Sequence, residues 1–414
     1  MTNRRIVITG MGIVSPVGSG VEYAWNNIKS GKSGIEKITK IDVANYASKI
    51  GGVPKTGSAR GEFDIDALID AKEQNRMDLV SMYAIVASDE AIRNAKLDNA
   101  DMERAGVCIG SGIGGIQTIY DSSVQLHETG RVSPFFIPKG ISNMPCGQVS
   151  IKYGLKGPNI TIVTACATGT HSIGEGARLI MHGDADVMVC GGAEAAISPL
   201  GMAGFCAMHA LSTRNDEPRR ASRPWDKARD GFVIAEGAAI LVLEEYGRAK
   251  ARGAKIYAEV AGYGTSGDAH HITAPADGGE GGLRAMKAAL ADAGIEPGEV
   301  DYINAHGTST GLGDIGELTA VRTLFDGTNV CMSSTKSMTG HMLGAAGAAE
   351  AIFSVLSIRD GIVPPTINLD DPEDLARGFN LVANTAQKRE VNTALSNSFG
   401  FGGTNSSIVL KKAR

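Results

Sequence analysis

The chain has 414 residues and a formal net charge of -5, with 43% hydrophobic and 21% charged residues. This composition supplies a large apolar core and excludes an intrinsically disordered chain. The slight acidity gives no reason to expect a nucleic-acid partner.

Three further features limit the class of protein. The N-terminal residues lack the apolar stretch of a signal peptide, and no run of about 18 apolar residues predicts a membrane span. The six cysteines form no C-x-x-C pair and have no zinc-finger spacing, so we expect no structural metal site. Free thiols without an export signal favour the reducing cytoplasm.

Short β-branched runs alternate with alanine-rich helical patterns along the chain. Strands are predicted at residues 6–9, 107–109, 160–163, 187–189, 239–243 and 256–260, the first of them ended by the glycines at 10 and 12. Helices are predicted at 82–95, 169–182, 283–293 and 344–359, where small or apolar residues recur at intervals of three and four. Buried strands between helices indicate an α/β protein whose helices cover its sheets.

The second half of the chain repeats the pattern of the first. Each half has an opening strand, a strand that ends at a glycine-containing turn, and a strand followed by a polar turn, a histidine and a small-residue helix. We therefore predict two halves, 1–254 and 255–414, packed as one body because no Pro/Ser-rich linker separates them. Insertions at 111–158 and 195–235 are expected to cover a site or build a subunit contact.

Cys166 lies between the predicted strand 160–163 and the predicted helix 169–182. A thiol at a helix N-terminus is exposed to the positive end of the helix dipole, which lowers its pKa and favours the nucleophilic thiolate. A buried structural role is the commoner fate of a cysteine. We expect that role for the cysteines inside strand-like runs, namely Cys108, Cys190 and Cys331.

His306 and His341 follow two other strand ends, in equivalent positions of the repeat. Strand ends of an α/β sheet converge at one edge, so the three side chains are predicted to share a pocket. Alone, each histidine is more commonly structural. The glycine-rich turn 400–405 offers backbone N–H groups that can stabilise an oxyanion, although it can also be a purely structural turn.

These residues resemble the β-ketoacyl-acyl-carrier-protein synthases of the thiolase superfamily, and within them synthase II. The resemblance runs from Val7 to Asn405 and depends on four motifs, namely Thr164-Ala165-Cys166, the run 305–310, the run 334–341 and the glycine turn. It implies a duplicated, five-layered α-β-α-β-α fold, a homodimer and no cofactor. It also implies elongation of fatty acyl chains by decarboxylative condensation, with acyl- and malonyl-loaded acyl carrier protein as partner.

The resemblance also implies individual roles. Cys166, His306 and His341 are the catalytic residues, and the N–H groups of Cys166 and Phe401 form the oxyanion hole. The remaining matches are Lys336 and Glu350 for orienting His341, Thr308 and Thr310 for the pantetheine arm, Ile113 and Phe401 for the acyl pocket, and Lys72 and Arg76 for carrier docking.

Four positions depart from the family's usual residues, namely Gly311, Ile315, Asn75 and His209. The first two follow the pantetheine threonines and affect the stiffness of that loop. The other two are often arginine in the family. Carrier docking is therefore expected to be weaker, more salt-sensitive, or shifted to Arg131 and Lys139.

Two other motifs predict no ligand. Residues 110–115 satisfy G-x-G-x-x-G, but they do not follow the first strand and lack the acidic residue of a dinucleotide site. Adjacent residues on an extended chain point to opposite faces, so His270 and His271 predict a loop near the site entrance rather than a metal site.

Other functions stay open on the sequence. A synthase I-like enzyme or a polyketide ketosynthase shares all three catalytic residues. A chain-length factor is a non-catalytic partner that lacks the active cysteine, and a cysteine hydrolase gives its acyl group to water. A thiolase uses a second cysteine, which the turn 400–403 does not contain.

Overall fold

The computed structural model describes residues 4–97 and 100–413. Its strands are β1 (Ile6–Val14), β2 (Ile35–Lys37), β3 (Ile50–Gly52), β4 (Ala105–Gly110), β5 (Asn159–Ile160), β6 (Val187–Glu194), β7 (Gly237–Glu245), β8 (Ala258–Gly267), β9 (Tyr302–Asn304), β10 (Cys331–Ser333), β11 (Ile362–Val363), β12 (Gln387–Lys388), β13 (Thr393–Gly400) and β14 (Thr404–Lys411).

The α-helices of the described residues follow in the same way. They are α1 (Val21–Lys29), α2 (Ala71–Gln74), α3 (Leu79–Ala95), α4 (Ile116–Thr129), α5 (Phe136–Gly140), α6 (Met144–Tyr153), α7 (Thr168–His182), α8 (Pro199–Ala207), α9 (Tyr246–Ala251), α10 (Glu280–Ala293), α11 (Gly311–Phe325), α12 (Lys336–Thr339) and α13 (Ala346–Asp360). Among the described residues, no helix has both the length and the apolar character that crossing a membrane requires.

One sheet of ten strands contains an internal repeat. Its order is β10-β9-β13-β14-β8-β1-β7-β6-β4-β5. From β1 outward, β7 and β6 are each antiparallel to the strand before, and β4 and β5 are parallel. From β8 outward, β14 and β13 are antiparallel, and β9 and β10 are parallel. The same order and orientation in both parts confirm the predicted duplicated α/β fold.

Helices and half-sheets alternate as five layers. Helices α7 and α13 pack on strands of both half-sheets and fill the central core. Helix α3 covers the outer face of the first half-sheet, with its own apolar core, and α10 and α11 cover the second. Asp78 caps α3 by accepting a hydrogen bond from the N–H of Val80. The order of the layers places the N-termini of α7 and α13 near the centre of the molecule.

The first strand extends further than predicted. It continues through Gly10 and Gly12 to Val14, so these glycines do not end it. A Cβ on Gly12 would lie 2.0 Å from the carbonyl oxygen of Ala87, and one on Gly10 would lie 2.2 Å from that of Ala91. The glycines therefore let α3 pack directly on the strand, and the prediction that they end the strand is wrong.

The predicted buried strand 160–163 is also wrong in extent. Strand β5 contains only residues 159 and 160, and the next four residues have no regular structure. As the outermost strand, β5 pairs on one side with β4. Ile160 and Val163 are 41% and 52% exposed, because nothing within the described chain covers them.

Candidate active site

Cys166 lies in a 3-10 turn, Ala165–Ala167, directly before α7. Ala165 has φ of 48°, which is uncommon for a residue other than glycine and marks a sharp bend. Two hydrogen bonds hold the bend, because the Thr164 N–H donates to the Thr168 hydroxyl at 2.9 Å and the Thr404 hydroxyl donates to the Thr164 carbonyl at 3.0 Å. The bend fixes Cys166, the predicted nucleophile, between the first half-sheet and the start of β14.

His306 follows β9 and is held through its backbone. The buried carboxylate of Glu317, on α11, accepts hydrogen bonds from the N–H groups of His306 and Gly307 at 2.8 and 2.7 Å. The Asn397 amide donates to the same carboxylate at 3.2 Å. These contacts fix the direction in which the imidazole leaves the strand end.

His341 is held by a short bridge to the segment before β7. Its N–H donates to the Val233 carbonyl at 2.7 Å, and its carbonyl accepts from the Ala235 N–H at 2.9 Å. The ring packs edge-on against Phe232 and against His306, with centroid distances of 5.4 Å in both cases.

The structure brings the three predicted catalytic side chains together. The sulfur of Cys166 and one ring nitrogen each of His306 and His341 all lie within 4.8 Å of one another, and all three residues are buried. One small acyl group can therefore contact all three at once. A thiol and two imidazoles at this spacing can also ligate a metal ion, although the sequence predicts none.

Burial determines how these groups are protonated. It lowers the pKa of both His306 and His341 well below the ordinary value, and the positive charge of Lys336 lowers both further, so the rings are neutral. Burial raises the pKa of Cys166 to about 12, against the opposing effects of Lys336 and the Phe401 N–H. The sequence predicts a lower pKa for a thiol at a helix N-terminus, but burial has the larger and opposite effect on Cys166.

Lys336 and Glu350 form a buried ion pair, so neither is a surface charge. Burial raises the pKa of Glu350 to about 7, with Lys336 acting in the opposite direction. Lys336 donates to Glu350, and no described residue is hydrogen-bonded to the Nδ1 atom of His306 or His341. Lys336 acts on both histidines by its charge, and the orientation of His341 by Lys336 and Glu350 stays a prediction.

A cavity of about 710 Å³ opens above the three residues. Its lining includes the four residues assigned to substrate binding, namely Ile113, Thr308, Thr310 and Phe401. The hydroxyl oxygens of Thr308 and Thr310 are 3.0 Å apart, and Phe401 is 36% exposed. The backbone N–H groups of Phe401 and Cys166 lower the pKa of the Cys166 thiol, so both groups lie beside the sulfur.

The predicted docking residues lie away from this cavity. Lys72 and Arg76 are not part of its lining. Arg76 donates to Glu73 at 2.8 Å and lies over the ring of Phe135. His209, in contrast, does line the cavity.

Sequence reasoning missed several residues of the site. Phe232 and Phe399 pack against the imidazoles, while Glu317 and Glu194 are buried carboxylates in the lining of the same cavity. The sequence contains one signal for the two glutamates, since each lies within an apolar or glycine-rich run. A carboxylate that is buried in such a run needs several hydrogen-bond donors around it, which marks a built site.

Comparison with known families decides the assignment. Residues 3–249 match the family model described as "Beta-ketoacyl synthase, N-terminal domain", and residues 257–370 match "Beta-ketoacyl synthase, C-terminal domain". The chain belongs to the β-ketoacyl synthase family. Members of this family are acyltransferases, so the chain is an enzyme of that class.

Two curated relatives of this ketoacyl synthase are named 3-oxoacyl-[acyl-carrier-protein] synthase 2. The protein of Vibrio harveyi is 53% identical over 419 aligned residues, covering 100% of this chain and 99% of the relative. The protein of Staphylococcus aureus strain N315 is 53% identical over 416 aligned residues, covering 99% of both.

Solved structures show the same fold. A β-ketoacyl synthase from Burkholderia phymatum STM815 superposes with a TM-score of 0.90 at 34% identity, over 99% of this chain and 100% of the other. The structure titled "AntDE:AntF (apo): type II PKS acyl-carrier protein in complex with its ketosynthase bound to the hexaketide" also gives 0.90 at 34%, over 100% of both chains. The ketoacyl synthase therefore has the thiolase-like fold.

Proposed function

We propose that this enzyme is a 3-oxoacyl-[acyl-carrier-protein] synthase II of fatty-acid elongation. It joins a cysteine-bound acyl chain to malonyl carrier protein, and it releases CO2, free carrier and 3-oxoacyl carrier. The observation that carries the proposal is the meeting of Cys166, His306 and His341 within 4.8 Å at the bottom of a mainly apolar cavity.

The first half-reaction transfers the acyl chain to the enzyme. The Cys166 sulfur attacks the acyl-carrier thioester, the carrier thiol leaves, and an acyl-enzyme forms. Because burial keeps the sulfur protonated, its proton must leave as the carbon–sulfur bond forms. A neutral imidazole within 4.8 Å accepts that proton and passes it to the departing carrier thiolate.

The second half-reaction begins with loss of CO2 from malonyl carrier. Thr308 and Thr310 lie on the cavity wall, where their hydroxyls can bind the pantetheine arm. His306 and His341 donate hydrogen bonds to the thioester oxygen, which gains negative charge as CO2 departs and an enolate forms. Neutral rings suffice for this role, since no proton is removed from carbon.

The enolate carbon then attacks the acyl group on Cys166. The carbonyl oxygen of that group becomes an oxyanion between the N–H groups of Cys166 and Phe401. Collapse of this intermediate breaks the carbon–sulfur bond, releases the 3-oxoacyl carrier and leaves a thiolate that takes up a proton. Loss of one such donor typically raises the barrier by about 3 kcal/mol.

Intact-protein mass spectrometry tests the proposal. Addition of acyl carrier should increase the protein mass by one acyl group, and the adduct should persist until malonyl carrier is added. Glu244→Gln, which changes a buried carboxylate outside the cavity lining, serves as the control variant. Spontaneous loss of the adduct without malonyl carrier would identify a hydrolase instead.

A polyketide ketosynthase is the second candidate. The observation that favours it is the TM-score of 0.90 with the type II polyketide ketosynthase structure. The 53% identity to the synthase 2 of Vibrio harveyi, against 34% to that structure, favours fatty-acid elongation. Competition between saturated acyl carriers and polyketide carriers separates the two. A chain-length factor is disfavoured because Cys166 is present.

An acyl carrier protein is the proposed partner. The polyketide ketosynthase structure is described as a complex with its carrier, which supports the same kind of partner for this chain. Lys72 and Arg76 are the proposed docking residues. Since Arg76 is paired with Glu73, exposed Lys72 should carry most of the attraction, and the KM for the carrier should rise with salt.

A homodimer is proposed from the exposed apolar side chains of residues 116–163. Ile151, Ile137, Leu126 and Val163 are 75%, 59%, 53% and 52% exposed. Large apolar patches on a protein surface commonly mark an interface. The outer edge of β5 has unpaired backbone groups that a second copy can also cover.

Three further expectations belong to the proposal. The boundary between the halves falls near residue 254, between β7 and β8, where the chain passes from one half-sheet to the other. The reaction requires no cofactor or metal, so added chelator should leave its rate unchanged. The six free thiols favour the cytoplasm.

A further inference from the structure

A buried carboxylate beside the acyl pocket, Glu194, takes no part in the steps above. It ends β6, is 0% exposed, and lines the cavity together with Cys166. Within residues 4–97 and 100–413, no lysine or arginine forms an ion pair with it. A carboxylate buried without a cation is costly unless hydrogen bonds compensate it, so its donors show what it holds in place.

Glu194 accepts four hydrogen bonds from two segments. Oε1 accepts from the Ser111 hydroxyl at 2.8 Å and the Ile113 N–H at 3.2 Å. Oε2 accepts from the Gly112 N–H at 2.8 Å and the Gly344 N–H at 3.0 Å. The glycine motif at residues 110–115 resembles a nucleotide-binding loop in sequence. Its N–H groups, however, donate to a carboxylate of the protein itself.

Glycines make this close approach possible. A Cβ on Gly112 or on Gly344 would lie 2.8 Å from Oε2 of Glu194. Their neighbours Ile113 and Leu343 both line the pocket beside Cys166. Leu343 has φ of 45°, an uncommon conformation for leucine, so the turn that carries it needs external support.

We propose that Glu194 is a positioning residue that sets the shape of the acyl pocket. It clamps the Ile113 loop to the Leu343 turn, and through these two side chains it selects the acyl chain lengths that reach Cys166. The inference rests on the proposed acyl transfer to Cys166 and adds a determinant of its substrate preference.

The substitution Glu194→Gln tests the clamp at one point. Each oxygen of the Glu194 carboxylate accepts two hydrogen bonds. The NH2 group of glutamine replaces one of these oxygens, and in either orientation it meets two donors where an acceptor is needed. The better orientation directs the NH2 towards Ser111, whose hydroxyl can rotate and accept. That orientation leaves the Ile113 N–H without an acceptor, while the bonds from Gly112 and Gly344 remain. The variant should therefore loosen Ile113 selectively.

The first measurement is kcat/KM for acyl-enzyme formation with short, medium and long saturated acyl carriers. Glu194→Gln should change the long-to-short ratio about fivefold or more, since chain-length selection depends on a few apolar contacts. Malonyl decarboxylation should stay within about twofold of the unsubstituted enzyme, because His306 and His341 keep their own supports.

A second measurement follows the charge of Glu194. The charged and titratable groups that face the Cys166 thiol are Lys336, Glu194, His306 and His341. The negative charge of Glu194 raises the pKa of the thiol, so its removal lowers that pKa. In Glu194→Gln, alkylation of Cys166 by iodoacetamide should reach a given rate at lower pH. Glu194→Asp retains the charge and should leave the pH profile in place.

Glu244→Gln is the matched control, because it changes a carboxylate that is equally buried but binds Thr9, Arg248 and Arg252 outside the cavity lining. It should affect stability without changing the chain-length ratio. Ser111→Ala removes one donor to Glu194 and the acceptor of the Gly114 N–H, so it loosens the loop on both sides of Ile113. It should shift the ratio in the same direction, which provides a test even if Glu194→Gln does not fold.

Two outcomes would overturn the inference. One is an equal loss with every chain length in Glu194→Gln together with an unchanged alkylation profile. The other is a folded Ser111→Ala with an unaltered ratio if Glu194→Gln fails to fold. Absence of acyl-enzyme in the unsubstituted protein would instead reject the proposed function itself.

Discussion

At the residue scale, burial and the charge of Lys336 act in the same direction on the two imidazoles. The buried ammonium of Lys336 lowers the pKa of His306 and His341 beyond the effect of burial alone. A lower pKa keeps an imidazole neutral to lower pH. The site therefore keeps its imidazoles neutral through the physiological range, and only a neutral imidazole can accept the Cys166 proton in the proposed acyl transfer.

Lys336→Met should move the acid limb of the pH–rate profile. Removal of a nearby like charge raises both imidazole pKa values, so acyl-enzyme formation, in which a neutral imidazole accepts the Cys166 proton, should begin to fail at a higher pH. The rate of acyl-enzyme formation between pH 5 and pH 8, followed by quenched-flow mass spectrometry, measures the shift.

The control for this substitution is the double variant Lys336→Met, Glu350→Gln. Breaking a buried ion pair from one side typically costs about 3–5 kcal/mol of stability, and the double variant avoids an isolated carboxylate. If its acid limb coincides with that of the unsubstituted enzyme, the proposed effect of the Lys336 charge is wrong.

At the element scale, backbone-to-backbone packing sets the distance between β1 and α3. Gly12→Ala would place a methyl group 2.0 Å from the Ala87 carbonyl oxygen, and the strand and helix would have to separate. We expect a loss of about 1–3 kcal/mol in the free energy of unfolding, as for other overpacked cores. Urea denaturation followed by circular dichroism measures it.

Gly298→Ala is the comparison for this loss, since nothing lies within 4 Å of a Cβ there and its φ is ordinary. It should change the free energy of unfolding by less than about 0.5 kcal/mol. Equal stability of the two variants would show that close packing of α3 does not require Gly12.

The same contacts explain which elements could be predicted from sequence. Helices α3, α7, α10 and α13 have apolar repeats, so their existence followed from local pattern. The role of Gly12 did not, because a glycine in a turn and a glycine under a helix look alike in sequence. The shortness of β5 also depends on its edge position, which only the sheet order reveals.

The active site was also only partly predictable from the sequence. Cys166, His306 and His341 follow predicted strand ends, and their meeting was predictable from α/β topology together with the family resemblance. The protonation of Cys166 was not, because its pKa depends on burial by distant segments. Glu194 was missed because its four donors come from loops far apart in the chain.

At the scale of the whole molecule, the exposed apolar surface predicts a second subunit. Ile151→Asp places a charge on the side chain that is 75% exposed within the proposed interface. We expect the apparent mass in light scattering to fall from that of two chains to that of one. Ile272→Asp, at a position 77% exposed on a different segment, should leave the mass unchanged. A monomeric unsubstituted enzyme would contradict the homodimer.

The central claim is that one pocket separates acyl transfer, which needs Cys166, from decarboxylation, which needs the two histidines. Cys166→Ala, assayed for both reactions on the same preparation, tests this separation most directly. Condensation should fall to background while malonyl decarboxylation continues, and His306→Ala or His341→Ala should abolish decarboxylation. Undiminished condensation by Cys166→Ala would contradict the account.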